Sequence, residues 1–478
     1  MHIVVVGGGV AGLSSALAGA QAGHRVTVVE RDATPMPSSA DAAFDWDRRG
    51  APQVRHSHAF LARLRNLLVD RSPDVLAALL DAGATELRFA ENLPPTLTDF
   101  EPRDGDDRLC AIACRRTTFE WVLRNAVLGR AGVEFIDGIA VDGLIAERVC
   151  AEAPPRVIGV HGRHQGGSGF ELDADVVIDA TGPRTSSPRW LVDIGVAEPS
   201  EQLVPSEIVY LSRFYRLREG HDAPETAGPI GGDLGYAKYA VFVGDNRTFS
   251  VTFAVDADDK AMRILTDVVA FESGAAQLPA AQPWLDGRSE PITDVHLMAG
   301  LRNRRRYFVD ESGVPVVRGF AAVGDAHVCT NPLYGRGCSL AMVHAYGLVD
   351  ALASDDWERA FHDFTERELD PWFRAAVQQD REAKVLAGAE SVEADDPRAF
   401  MREVFREGLL PAVRTSPLVY RAFLRWFNLE TTPDALMTDA EVLSAVMQCY
   451  SERETREPEG PLGPDRITFL ASVREEGA

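Results

Sequence analysis

The stretch of residues 3–30 constrains this chain more than any other. Residues 3–6, Ile-Val-Val-Val, form a short β-branched run that reads as a buried parallel strand. Gly7, Gly9 and Gly12 follow at G-x-G-x-x-G spacing, and an Ala/Leu-rich helix is predicted over about 10–22, stopped by Gly23. A second strand, residues 25–29, ends at Glu30. Each part has a physical task. Gly7 makes the tight turn, Gly9 lets backbone N–H groups approach a pyrophosphate, and Gly12 allows close helix–strand packing. The helix N-terminus adds a partial positive charge. Glu30, eighteen residues past Gly12, can accept hydrogen bonds from a ribose diol. Strand, loop, helix, strand and acid agree on a Rossmann-like α/β unit that binds a dinucleotide.

At 478 residues the chain is too long for one simple core and predicts two or three domains. A net charge of −23 argues against nucleic acid or an anionic membrane surface as the main partner. The N-terminus enters a strand directly, with no leader-like segment. No uncharged apolar run is long enough to span a bilayer, so the sequence predicts a cytoplasmic protein without a transmembrane segment. The six cysteines (110, 114, 150, 329, 338, 449) are scattered. Cys110 and Cys114 lack a second pair or a histidine cluster, so free thiols are expected and no metal site.

Residues 32–55 read as a Pro-, Ser-, Ala- and Asp-rich loop ending in Pro52-Gln53-Val54-Arg55-His56-Ser57-His58, with a helix expected from 59 and another over about 74–81. Arg116 opens a further helix, with Phe119, Val122, Leu123 and Val127 on one face. A third parallel strand is predicted at 133–136 and hairpin strands at 141–149 and 157–172. Asp179-Ala180-Thr181-Gly182 reads as a tight turn after a buried strand. Period-two runs at 208–217, 237–243 and 249–255 suggest one large curved antiparallel sheet. Buried strand and turn return at 319–325, a helix at about 335–353, and almost pure helix from 356, with proline breaks at 371, 397, 411, 417 and 433. The expected division is a discontinuous cofactor domain (1–189 and 297–355), a β-rich substrate domain (190–296) and a helical C-terminal region (356–478).

Four stretches fit together: Gly7 to Gly12 with Glu30, the Arg116 helix start, Asp179 to Gly182, and Gly324-Asp325-Ala326 followed by Asn331-Pro332-Leu333-Tyr334-Gly335-Arg336-Gly337. Together they resemble the FAD-dependent monooxygenases of the aromatic-hydroxylase and squalene-epoxidase type, over residues 1 to about 355. The resemblance implies a glutathione-reductase-type FAD-binding domain. Glu30 with Arg31 would hold the adenosine ribose, Arg116 the pyrophosphate or adenosine, and Val141 the adenine through its backbone. Gly324 and Asp325 would face the ribityl chain. The segment Pro332, Gly335 and Gly337 would aim helix N–H groups at the N1–C2=O edge of the isoalloxazine, where reduced flavin carries negative charge. Gln53 or Arg55 would contact flavin or its phosphates.

Such an enzyme needs little acid–base machinery of its own, because the cofactor forms a C4a-hydroperoxide and the protein supplies a dry, oriented pocket. His56 is the one candidate catalytic residue; beside His58 it is open to a proton relay, a metal pair or simple local hydrogen bonding. The basic run Arg302, Arg304, Arg305 and Arg306 reads as a solvated face or a docking patch for NAD(P)H phosphate or a reductase. No second dinucleotide motif follows, so electrons come from transient NAD(P)H or from a flavin/ferredoxin reductase partner. Flavin-dependent halogenases of the tryptophan type carry a lysine in the FAD half and a Trp-x-Trp pair. This chain has lysine only at 238, 260 and 384 and no such pair, which disfavours halogenation. Reduction of isoprenoid-type double bonds stays open, with His56, Cys338 or Tyr334 as proton donors, and so does flavin binding without turnover. Residues 417–427 form an amphipathic aromatic helix, suited to covering a substrate chamber or to peripheral membrane contact. The expected reaction is insertion of one oxygen atom, by hydroxylation or epoxidation, into a mostly apolar small molecule.

Overall fold

A computed structural model describes residues 1–148, 153–224, 230–386, 398–456 and 462–476. The end of the strand expected at 141–149, Cys150 and Pro397 lie outside the described residues. In chain order the first elements are β1 (His2–Val6), α1 (Val10–Gln21), β2 (Arg25–Val29), α2 (Ala62–Arg71), α3 (Pro73–Asp81), β3 (Thr85–Arg88), β4 (Cys110–Ala113), α4 (Arg116–Leu128) and β5 (Val133–Ile136). There follow β6 (Ile139–Glu147), β7 (Arg156–His164), β8 (Gly169–Asp173), β9 (Val176–Asp179), α5 (Ser187–Asp193), β10 (Ser200–Pro205) and β11 (Ile208–Leu217). Then come β12 (Gly231–Asp233), β13 (Ala237–Val243), β14 (Thr248–Asp256), α6 (Val268–Ala276), α7 (Gln282–Leu285), β15 (Ser289–Pro291), β16 (His296–Met298) and β17 (Arg302–Tyr307). The last part holds β18 (Phe320–Ala322), β19 (Val328–Cys329), α8 (Gly337–Ala351), α9 (Trp357–Glu368), α10 (Asp370–Leu386), α11 (Ala399–Val404), α12 (Leu410–Thr415), α13 (Pro417–Phe427), α14 (Ala435–Thr438), α15 (Ala440–Ser451) and α16 (Arg466–Glu476).

The central sheet is parallel, in the order β18-β9-β1-β2-β5. β1 is buried along its whole length because both of its faces are covered. Ile3 and Val5 point into a core with Leu13 and Leu17 of α1, Phe119 of α4 and Met342 of α8. Val4 and Val6 point the other way, against Ile139, Val157 and Val160 of the antiparallel meander β6-β7-β8. Each such fully buried side chain contributes roughly 1.5–3 kcal/mol.

A second large sheet runs β12-β13-β14-β11-β15, with β16 also paired to β11. Leu211, Tyr215, Val251 and Phe253 alternate onto one face, packed against Phe271 of α6 and Phe469 of α16. Strand β10 does not join this sheet; it pairs antiparallel with β17, which in turn pairs with β19. The C-terminal helices form a further core around Trp372, Phe373, Val419 and Trp426. The prolines at 371 and 417 occupy the first turns of α10 and α13, where a missing N–H costs nothing; Pro411 instead follows a π-helical segment, 405–409, that runs without a break into α12. The apolar face of α13 is covered by protein, with Tyr420 and Leu424 on Leu97 and Leu109. Among the described residues no helix is long and apolar enough to cross a membrane.

Two sequence expectations need correction. The helix expected from residue 59 starts at Ala62. The N–H of Leu61 is donated to Ser339 Oγ (3.2 Å) and that of Ala62 to Asn428 Oδ1 (3.0 Å), so distant elements set the start and hold the preceding segment extended. The basic run of β17 is neither a solvated face nor a docking patch at its centre. Arg305 is fully buried, its Nε donating to Asp370 (2.9 Å) and its Nη2 to Glu366 (2.7 Å). Arg306 is buried too, with Nη1 on the carbonyl of Ala326 (2.8 Å).

Candidate functional site

The loop from β1 to α1 is shaped by contact distance. Gly7 has φ +106°, open to glycine alone at low cost, and a Cβ at Gly12 would stand 1.8 Å from the Gly7 carbonyl oxygen. At Gly9 a Cβ would meet nothing within 4 Å. The backbone therefore faces open space where α1 begins, and α1 has neither a side-chain cap nor an acid in its first turn. Glu30 accepts from the N–H of Gly8 (2.7 Å) and of Asp32 (2.8 Å). Ile139 N–H donates to the Glu30 carbonyl (3.1 Å), which places Val141 two residues farther along β6, at a β-bulge.

Beneath this loop sits a buried charge network that sequence reasoning missed. Arg48 donates from Nε to Glu120 (2.7 Å) and from Nη2 to the Gly8 carbonyl (3.1 Å). Arg116 pairs with the same Glu120 (3.2 Å) and donates from Nη1 to Cys338 Sγ (3.0 Å) near the start of α8. The i,i+4 spacing of Arg116 and Glu120 was a usable signal. Nothing marked Arg48 inside its polar loop.

At the other end, Gly324 has φ +56°, and a Cβ there would come within 2.9 Å of Ala11 Cβ on α1. Its N–H donates to His344 Nδ1 (3.1 Å). Thr365 Oγ1 donates to the Phe361 carbonyl (2.8 Å), so the His344 Nε2–Thr365 contact (3.0 Å) assigns the proton to Nε2. His344 thus holds the Gly324–Asp325 turn. Asp325 has no hydrogen-bond partner among the described residues, yet keeps accessible surface. Burial pushes its pKa up to about 6 against the opposing pull of Arg116. Asn331 Oδ1 caps the turn at Pro332–Tyr334 through the N–H of Leu333 (3.1 Å). Gly335 has φ +66° and abuts Ala59, while a Cβ at Gly337 would meet nothing within 4 Å. Like α1, α8 starts without a side-chain cap or an acid. Two uncapped helix N-termini, two glycines open to space and a deep unpaired carboxylate fit a bound FAD.

The segment 56–59 stands between this loop and the second large sheet. His56 Nδ1 lies 3.2 Å from Ser212 Oγ, Ser212 Oγ 2.8 Å from Thr252 Oγ1, and Ser57 Oγ 2.6 Å from both Ser250 Oγ and Thr252 Oγ1. Registers place Ala240, Thr252, Ser212 and His296 in one row across four strands. Tyr210 Oη donates to Asn331 Oδ1 (2.7 Å), tying the same sheet face to the loop before α8. Burial and the nearby His296 pull His56 down to about 4, and burial with Arg116 takes His58 down to about 3. Both rings are therefore neutral at neutral pH. His58 still keeps accessible surface, so it borders an internal space.

Other predicted residues stand apart. Arg31 and Arg55 are exposed, and Arg55 lies close enough to depress His296. Gln53 sits in a 3₁₀ turn, its carbonyl taken by the His56 N–H (3.0 Å). Neither Gln53 nor Arg55 has a hydrogen bond to the Gly7–Gly12 loop among the described residues. Pro332 is exposed at the start of its turn. Cys110, Cys114, Cys329, Cys338 and Cys449 are free thiols.

Residues 2–64 match the family model described as FAD dependent oxidoreductase. The protein Rv3254 of Mycobacterium tuberculosis is 28% identical across 73% of each chain. Among solved structures, PqsL of Pseudomonas aeruginosa, described as a probable FAD-dependent monooxygenase, has a TM-score of 0.56 at 18% identity, covering 81% of this chain and 97% of its own. The myxobacterial chondrochloren halogenase CndH has a TM-score of 0.56 at 19% identity, covering 94% and 97%. Residues 2–64 thus carry the match to FAD-dependent oxidoreductases, and the chain has the fold seen in PqsL and in CndH.

Proposed function

We propose that the protein is an FAD-dependent monooxygenase that inserts one oxygen atom, by hydroxylation or epoxidation, into a small molecule with a mostly apolar body. One observation carries this reading: the loop Asn331–Gly337 and the row Thr252–Ser212–His296 face each other across the segment 56–59. A cofactor edge and a substrate wall need that juxtaposition.

FAD, when bound and reduced, supplies the activation of dioxygen. Everything else falls to this chain. The Gly7–Gly12 loop and the α1 N-terminus hold the pyrophosphate, Glu30 the ribose, and the backbone near Val141 the adenine. Arg116, which shares the single carboxylate of Glu120 with Arg48, would add a cation near the phosphates. Asp325 would accept from the ribityl hydroxyls, and the α8 N-terminus would stabilise negative charge on a reduced flavin. Phe214 and Phe44, in edge-to-face contact at 5.7 Å, exclude water from one end of the sheet face. Neutral His56 accepts or donates one hydrogen bond to a substrate oxygen without carrying charge. The burial of Arg305 and Arg306 removes the centre of the expected nicotinamide patch. A transient NAD(P)H or a flavin/ferredoxin reductase is proposed as the electron source.

The test is reconstitution with FAD and NADH, NADPH or a reductase, followed by mass spectrometry of substrate pools. Gain of one oxygen atom supports the reading. Gain of two hydrogens makes the protein a double-bond reductase, and gain of halogen in a halide buffer a halogenase. FAD loading without reductant consumption under any substrate makes it a flavin-binding protein without turnover.

A further inference from the structure

Arg336, between Gly335 and Gly337, is 1% exposed and has no carboxylate within ion-pair distance among the described residues. Its guanidinium lies 4.6 Å from the ring centroids of Tyr334 and Trp372 and 5.8 Å from that of Trp426. Nη1 donates to Gln379 Oε1 (3.0 Å), while Nε and Nη2 have no partner and are closed to solvent. Those two nitrogens share one edge of the guanidinium. Elsewhere in this protein the same edge grips a carboxylate. Arg421 binds Asp106 through Nε (2.8 Å) and Nη2 (2.7 Å), Arg115 binds Asp245 (3.0 and 2.6 Å), and Arg288 binds Asp286 (2.7 and 2.9 Å).

We propose that the vacant Nε/Nη2 edge of Arg336 receives a carboxylate carried by the substrate. Aromatic faces satisfy the charge of a guanidinium from above and below, but they leave its in-plane N–H donors unmade. Two parallel donors match two oxygens of one carboxylate. A phosphate dianion is a poorer fit, since flat apolar rings and no second cation surround the edge. With nothing to pair it, burial lowers Arg336 to about 10, so it still carries its charge at neutral pH and gains most from an anion. Of the three rings, only that of Tyr334 keeps accessible surface beyond the buried range, so its movement opens the edge. An acid held there stands one residue from Gly337.

The inference rests on the substrate-chamber reading above, and binding and turnover are measured separately. The probes are benzoate, its neutral counterpart benzamide, and chloride, each titrated into the FAD-loaded protein by thermal shift and flavin difference absorbance. Benzoate should bind at least about tenfold tighter than benzamide, the scale of a charge-assisted bidentate pair. Arg336→Lys, which keeps charge but loses the edge, should abolish that preference while FAD content and benzamide affinity stay unchanged. Tyr334→Ala removes one aromatic face but leaves the in-plane Nε and Nη2 donors intact, and should speed benzoate association and keep the preference for acid. Equal affinity for acid and amide in the unmodified protein, or an undiminished preference in Arg336→Lys, overturns the assignment. So does chloride displacing benzoate at equal concentration. Acid preference without oxygen gain would retain the site and remove the reaction; oxygen gain without acid preference would do the reverse.

Discussion

Exchanging Asp325 for Asn should stabilise the FAD-free chain and weaken its hold on FAD. The carboxylate has no hydrogen bond among the described residues, and burial raises its pKa to about 6, against a usual value near 3.9. A raised carboxylate binds its proton more tightly folded than unfolded. Folding stability is therefore fully present below about pH 4 and falls as pH rises to about 6. A rise of that size corresponds to at most roughly 3 kcal/mol. The carboxylate retains some contact with solvent, which brings the expected penalty at neutral pH to about 1–2 kcal/mol. Asn carries no such penalty, so the FAD-free Asp325→Asn protein should be more stable by that amount at pH 8 and level with the parent at pH 4. FAD binding should move the other way, weaker by about 1–3 kcal/mol, because ribityl hydroxyls lose a charged acceptor. Denaturant unfolding of both apoproteins across this pH range, with FAD titration by fluorescence, reads the two effects. Parallel stability curves would refute the desolvated carboxylate, and unchanged FAD affinity would remove Asp325 from the site.

Three further outcomes are expected. Gly9→Val should abolish FAD binding while the apoprotein keeps its melting point, because a Cβ there meets only open space; Gly12→Ala, with a carbonyl oxygen 1.8 Å away, should lose folded protein instead, and circular dichroism with FAD content separates the two. Gly337→Val should lower the flavin midpoint potential by the equivalent of about 1 kcal/mol with most FAD retained, since it displaces the α8 donors from the ring edge; an unchanged potential would mean that this helix does not face the flavin. Arg305→Ala should cost about 1.5–3 kcal/mol in denaturant unfolding by removing a charged donor from buried Asp370, which keeps Arg374 as its second partner, whereas Arg302→Ala, on the exposed end of the same strand, should stay within about 1 kcal/mol.

The loop from β1 to α1, the turn at Asp179, closed by the Thr181 N–H on Asp179 Oδ1 (2.9 Å), and the helix α8 were legible because their signals are local. Glycine spacing and a β-branched run fix their own neighbourhood within a dozen residues. The polar row proposed as a substrate wall was not. Ser212 and Thr252 sit in strands whose apolar positions revealed the alternation, but nothing in the chain says that they meet each other, or that Ser57 reaches Thr252 from 195 residues away. Arg305 and Arg336 are opaque for the same reason. A charged residue looks solvent-facing until its partners are known, and theirs lie on the C-terminal helices α9, α10 and α13. The start of α2 shifted because Asn428 and Ser339 claim the N–H groups that a longer helix would use.

The strand order β18-β9-β1-β2-β5 also has a consequence for biosynthesis. Strand β9 pairs on one side with β1 and on the other with β18, which the ribosome adds more than 140 residues later. At about 5–20 residues per second, that edge stays unpaired for roughly ten seconds or more while the second sheet emerges and folds. An apolar edge left bare for so long is a template for misassociation. More than 300 residues separate the Gly7 loop from Gly324 and Gly337, so the two halves of the proposed cofactor cradle meet only after β18 and α8 have emerged. No cofactor can shorten that interval, since the proposed cradle forms only with β18; slower elongation across residues 180–319 should therefore raise the insoluble fraction at equal total synthesis.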